Sequence, residues 1–284
     1  MIYLKFEPGS QLEKFIRNYY IWECDKYEFD SMYVEAPPTG YPITIFNYGD
    51  PSYLIKNNLR DKLPLVSVVG QATKIYSYMV RGTVRIFGCI WKPYGLYHVL
   101  KNDISELNNQ QFDLTKLIDV KIDQIISQLA NKQTYEEKKN VVENYLVDLI
   151  SSNSDVTHKI ELIAEEFEMN NGLVKVSEMA DKYQIGIRYL QKEFKKRVGL
   201  TPKQFCKIKR MAHICDIMSE PAHINWLDIL HEGGYYDQAH FIKDFKEYMI
   251  KPPKYYFEDN IEIVKTLWSI FYFFFDYKKK LLVN

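Results

Sequence analysis

Cysteine is scarce in this chain: four in 284 residues (Cys24, Cys89, Cys206 and Cys215), with no C-x-x-C pair. That excludes a disulfide-stapled secreted scaffold, and the four are expected as reduced, mostly buried thiols. The six histidines do not pair at helical ligand spacing with each other. A zinc site needs about four converging ligands, so no metal site is nominated. H-E-x-x-H, G-x-S-x-G, Walker A and Rossmann patterns are all missing. No residue is therefore nominated as catalytic, no cofactor is expected, and the chain is not expected to be an enzyme. Net charge is missing too, with 37 basic residues against 37 acidic. A globally basic nucleic-acid protein is thereby excluded, but not a locally basic one. The opening residues MIYLKFEPGSQLEKF lack the basic-then-apolar order of a signal peptide, so the expected location is the cytoplasm.

What is present fits a two-domain globular protein, with 46% hydrophobic and 26% charged residues. Residues 41–92 are expected to be mainly β, because YPITIFNYG and RIFGCIW are rich in β-branched and aromatic residues. LPLVSVVGQATKIYSYMV offers one or two further strands. Beyond about residue 93 the pattern turns helical. Ile118, Ile122, Ile125 and Leu129 share one face, as do Val142, Tyr145, Leu146 and Leu149. The polar, turn-prone SSNSD marks a linker at 151–156 between a first domain, 1–150, and a second, 157–260. The tail 261–284 is apolar and aromatic, then basic, but Glu262, Lys265 and Asp276 interrupt it. A membrane span needs about 20 apolar residues, so packing on the second domain or at a subunit contact is preferred to a membrane partner.

Residues 174–257 read as two helix-turn-helix units joined by one basic helix. In the first, Ile187, Leu190, Phe194 and Val198 form a core-facing stripe. Arg188, Gln191, Lys192 and Lys195 occupy the opposite face. Arg or Lys can pair with guanine O6 and N7, and Gln with adenine N6 and N7. Lys195 and Lys196, further along, suit phosphates. Between 186 and 210 nine basic residues face one acidic residue, Glu193, a local balance of +8. Such a patch is what counterion release requires. Thr201 and Pro202 then start a connecting helix, whose Ile208 and Ala212 are expected inside and whose lysines are expected outside. In the second unit Asp237 is the N-cap of a helix that packs Phe241, Phe245 and Tyr248 inward. Its other face offers Ala239, Ile242, Lys243 and Lys246, with Gln238 and His240 near its start. Residues 211–257 carry four basic and seven acidic residues, so the first unit is expected to supply most of the electrostatic affinity.

IRYLQKEFKKRVGLTPKQFCKIKR, followed by WLDILHEGGYYDQAHFIKDFK and PPKYY, resembles the DNA-binding domain of AraC/XylS transcription regulators over about residues 157–257. The resemblance implies a bipartite domain of about seven helices. It also implies base-contacting roles for Arg188, Gln191 and Lys192, and for Gln238, Ala239, His240, Ile242 and Lys243. Three residues depart from the pattern: Gly186 for Ser, Leu230 for a small residue, and Ile250 for Gly, where a left-handed backbone would strain a β-branched side chain.

The N-terminal half more loosely resembles one sensory-domain subgroup of that family, through QLEKFIRNYYIWE, PPTGYPITIFNYGD and FGCIWKPYGLYHVL. The implied fold class is α+β, a cupin-like β domain with helices followed by the all-α domain. Trp22, Tyr41, Phe46, Tyr78 and Trp91 are candidates to line an effector pocket, and plain core is the competing reading for each. The resulting expectation is an effector-modulated regulator, more an activator than a repressor. Its candidate partners are promoter DNA, RNA polymerase, a small-molecule or protein effector, and a second copy of the chain. The alternative is an adaptor that binds protein or membrane and keeps a vestigial second unit.

Overall fold

Period-two alternation and continuous apolar runs build the first half of the chain. The structure is a computed structural model and describes residues 1–25, 31–56, 59–118, 122–150, 157–219, 230–253 and 255–256. The linker at 151–156 and the tail at 261–284 lie outside the described residues. In chain order the strands are β1 (Ile2–Phe6), β2 (Ile16–Cys24), β3 (Ser31–Ala36), β4 (Ile43–Asn47), β5 (Tyr53–Lys56), β6 (Leu59–Lys62), β7 (Val66–Val69), β8 (Tyr76–Arg81), β9 (Val84–Trp91) and β10 (Gln111–Asp113). The β region is thus longer than expected and begins at Ile2 instead of residue 41. β2 escapes period-two reading because it is covered on both faces, with Ile16, Asn18, Tyr19, Tyr20, Ile21, Glu23 and Cys24 all buried.

The strands form two antiparallel sheets. One has the order β1-β2-β9-β4-β7-β10, the other β3-β8-β5-β6. Gly88 faces Tyr20 across the β2–β9 pair, and a Cβ there would lie 2.0 Å from the Tyr20 ring. The missing side chain lets that ring lie flat on the inner face of the larger sheet.

Helices α1 (Gly95–Leu100), α2 (Ile122–Asn131) and α3 (Tyr135–Ile150) follow, and α2 and α3 cover the outer face of the larger sheet. Of the expected stripes, Ile122, Ile125, Leu129, Val142 and Leu146 are buried and Tyr145 and Leu149 half-buried, while Ile118 falls in a bend before α2. A buried ion pair, Lys138 Nζ to Glu23 Oε1 at 2.7 Å, ties α3 to β2, and the Tyr48 hydroxyl donates to the same carboxylate at 2.7 Å.

The second half is helical: α4 (Lys159–Met169), α5 (Val176–Lys182), α6 (Ile187–Val198), α7 (Pro202–Ser219) and α8 (Gln238–Met249). These helices share one apolar cluster with the inner faces of the sheets, which runs from Tyr20, Tyr41, Ile43 and Val69 to Phe167, Phe194, Phe205 and Phe245. The two halves are therefore joined by a common core. Among the described residues no helix is long and apolar enough to cross a membrane.

Candidate nucleic-acid interface and internal cavity

α5 and α6 are joined by a tight turn in which Gln184 takes φ 52° and Ile185 N–H donates to Ala180 O at 3.0 Å. Met179 and Ala180 of α5 are buried, and so are Leu190, Phe194 and Val198 of α6. Phe194 stands edge-on to both Phe167 and Phe205, with centroids 5.8 and 5.5 Å away. Ile187 departs from the expected stripe and is 46% exposed. It opens the helix just past the turn, outside the layer that covers the later turns.

The residues expected on the polar face, Arg188, Gln191, Lys192 and Lys195, are all exposed on α6. Lys196 is only half-exposed, with Nζ 5.9 Å from the Tyr97 ring of α1. The basic patch is smaller than its sequence count, because several of its members point elsewhere. Arg197 stacks 4.6 Å from Tyr97 and reaches Glu161 at 3.6 Å and Glu193 at 3.5 Å. Lys207 pairs with Asp244 at 3.2 Å and joins α7 to α8. Arg210 lies 5.5 Å over the Tyr235 ring. Lys209 was expected outside and is only 2% exposed, since α7 is buried on most of its circumference. Of the nine basic residues, Arg188, Lys192, Lys195 and Lys203 remain exposed.

In the second unit Asp237 caps α8 as expected, its carboxylate accepting from His240 N–H at 2.8 Å. Phe241, Phe245 and Tyr248 are buried, while Gln238, Ala239, His240, Lys243 and Lys246 are exposed. Ile242 is half-buried and packs against the core. The α8 surface is also partly acidic: His240 Nε2 lies 3.8 Å from Asp244, and Lys207 is 3.6 Å from an exposed Glu247. Leu230 is half-buried against the core, in a helical stretch at 230–232.

Ile250 ends α8 at φ 64° and is 64% exposed, the positive φ anticipated for this position. A β-branched residue there costs about 1–2 kcal/mol relative to glycine. Ile250→Gly is therefore expected to stabilise the protein by about 1 kcal/mol, read as a higher urea midpoint with an unchanged slope. An unchanged midpoint would mean that this backbone carries no strain.

α4 joins the two halves through carboxylates at i, i+4 and i+7. Glu161 meets His98 Nε2 at 2.8 Å, Glu165 accepts from the Tyr94 hydroxyl at 2.6 Å, and Glu168 pairs with Arg17 and accepts from the Tyr41 hydroxyl. Burial works against the charge on Glu161, yet the His98 hydrogen bond and the nearby Arg197 hold its carboxyl below the usual range. Lys209 Nζ sits 3.1 Å from the Tyr41 ring centroid, and burial pushes its ammonium well below the usual lysine range.

Between the two sheets lies a cavity of about 220 Å³. Its wall includes Trp22, Tyr41 and Tyr78, three of the five aromatics nominated from sequence. The other two are core. Phe46 is one residue out of phase with Ile43, Ile45 and Asn47, which face the cavity along β4. Phe46 is instead fully buried against Phe87 on the opposite face. Trp91 lies on that face too, its indole N–H donating to Thr44 Oγ1 at 2.8 Å.

Sequence reading missed the segment between β7 and β8, which serves three surfaces at once. Gly70 and Ala72 line the cavity. Gln71 packs beside Gly199, the left-handed C-cap of α6. Ile75 N–H donates to Tyr248 O of α8 at 2.7 Å. The glutamine and the glycine were available as signals, but nothing local tells which distant element they meet.

Residues 179–259 match a helix-turn-helix domain, and residues 4–113 match a domain of unknown function, DUF6597. The lactose operon transcription activator of Staphylococcus xylosus is 27% identical over 169 residues, which cover 55% of this chain and 57% of that relative. The chain thus spans little more than half the length of this relative. Among solved structures, ToxT from Vibrio cholerae aligns over 86% of this chain and 97% of its own at 12% identity, with a TM-score of 0.46. The AraC-like transcriptional activator CuxR aligns over 81% and 91% at 13% identity, with a TM-score of 0.25. In this chain, therefore, a helix-turn-helix domain follows a DUF6597 domain.

Proposed function

We propose that this chain is a sequence-specific, DNA-binding transcription regulator whose cavity takes a small-molecule effector. The observation that carries the reading is α6. Its Leu190, Phe194 and Val198 are buried, while Arg188, Gln191, Lys192 and Lys195 stand exposed in a segment that matches a helix-turn-helix domain. In this reading Arg188 and Gln191 contact base edges, Lys192 and Lys195 contact bases or phosphates, and Lys196 stays on the N-terminal domain. On α8, Gln238, Ala239, His240, Lys243 and Lys246 form a weaker second reading face. α7, with 18 residues, spans about 27 Å at the usual helical rise, a length suited to heads about one DNA turn apart.

The effector would act through the segment between β7 and β8, which touches the cavity, α6 and α8 together. Activation is the expected outcome, in line with the AraC-type resemblance and the activator among its relatives, and RNA polymerase is then the expected partner. The cytoplasm is the expected place of action.

The asymmetry between the heads supplies the test. On duplexes selected from a random pool by the full chain, Lys192→Ala is expected to weaken binding several-fold and to lower the salt slope by about 1. Lys243→Ala, beside Asp244 and Glu247, is expected to change affinity less than twofold. Equal losses would contradict the leading role of α6.

A further inference from the structure

We infer that the cavity between the sheets takes a small, uncharged, mainly apolar ring molecule with one hydrogen-bonding group, and excludes anions; this rests on the proposed reading of the cavity as an effector site. Three observations carry it: the wall chemistry, the state of its polar atoms, and its size.

The wall is apolar and aromatic. Trp22, Ile43, Ile45, Val69 and Ile86 come from the larger sheet, and Met32, Val34 and Tyr78 from the smaller. No Asp, Glu, Lys, Arg or His is among the described residues that line it. An anion entering would shed its hydration with no side-chain cation on the wall to replace it. The nearby cations do not serve. Arg17 and Lys209 stack on Tyr41, 4.6 and 3.1 Å from its centroid, neither belongs to the wall, and Arg17 is paired with Glu168.

Several polar wall atoms already have partners. Asn47 donates to Asp50 O and accepts from Gly49 N–H, both at 3.0 Å. Ser67 Oγ accepts from Gln111 at 3.0 Å, and the Tyr41 hydroxyl donates to Glu168. The Tyr3 hydroxyl is buried and has no hydrogen-bond partner among the described residues. Its ring stacks on Tyr20 with centroids 5.8 Å apart and planes 19° from parallel. A buried hydroxyl without a partner is costly, and a ligand group that pairs with it removes that cost. Burial raises Tyr3, Tyr20 and Tyr78 far above the usual phenol range and Tyr76 to about 12, so these phenols present no charge of their own near neutral pH.

At about 220 Å³ the cavity is smaller than pockets that take drug-sized molecules, which run about 300–1,000 Å³. One or two fused rings suit it, whereas a sugar would leave its many hydroxyls facing hydrocarbon.

The test uses three probes of one skeleton, naphthalene, 2-naphthol and 2-naphthoate, titrated calorimetrically into the full chain near pH 7. 2-Naphthol is expected to bind at least tenfold more tightly than 2-naphthoate. Tyr3→Phe is expected to shrink the advantage of 2-naphthol over naphthalene to under twofold. Ile45→Trp fills the cavity and is expected to abolish binding of both neutral probes. Ala72→Leu is a second filler should the first fail to fold. Equal or tighter binding of 2-naphthoate, blocked by the fillers, would overturn the uncharged-ligand inference and leave the effector reading standing. If none of the probes binds, or binding survives both fillers, the effector reading falls and takes this inference with it.

Discussion

Replacing Arg188 with alanine is expected to weaken specific DNA binding by roughly 5- to 150-fold, the equivalent of about 1–3 kcal/mol for one bidentate base contact. Arg188 lies in the first turn of α6, at the end next to the turn that projects a recognition helix into the major groove. Its side chain is exposed and its neighbours on that face are Gln191, Lys192 and Lys195, so alanine removes a guanidinium without disturbing the core. The loss should be specific: preference relaxes at one base position while non-specific binding falls little. Selection from a random pool with the wild type and with Arg188→Ala, at one fixed salt concentration, measures both. A uniform loss over all sequences would make Arg188 a phosphate contact instead.

Phe194→Ala should have the largest effect on stability, costing about 3–5 kcal/mol. Phe194 is fully buried and stands edge-on to Phe167 of α4 and Phe205 of α7, so one ring holds three helices. Truncation leaves a void among rigid aromatics that cannot collapse onto it, and edge-to-face contacts are lost besides. Ile187→Ala, in the same helix, should cost under about 0.5 kcal/mol, because that side chain is half in solvent. Urea unfolding of the two variants measures the difference. Similar costs for both would mean that α6 is seated differently from the packing described here.

That contrast also shows what could be read in advance. The stripe Leu190, Phe194 and Val198 followed from helical periodicity, because α6 is covered along one side only. Ile187 obeys the same period but opens the helix beyond its supports, and periodicity carries no information about where a neighbouring layer ends. The larger sheet was harder. Its two faces are both covered, so Phe46 and Trp91 look like Tyr41 and Trp22 in sequence, and only strand register separates cavity from core. β2 was missed for the same reason, since a strand buried on both faces has no alternation to detect. Lys209 could not be placed from local pattern, because a helix with several buried faces must take some of its charges inside. Some caps were legible: Asp237 accepts from His240 N–H, and Ile250 takes the positive φ anticipated for it. Long-range pairings such as Ile75 with Tyr248 and Glu168 with Arg17 leave no trace in sequence spacing.

The most direct test of the account is a hydroxyl-radical footprint of the full chain on a selected duplex, taken across a salt series. The account predicts protection flanking two successive major grooves on one face of the DNA, centred about 10–10.5 base pairs apart. The protection held by α8 should fade before that held by α6 as salt rises. Protection of one groove only, or loss of the α6 side first, would contradict it.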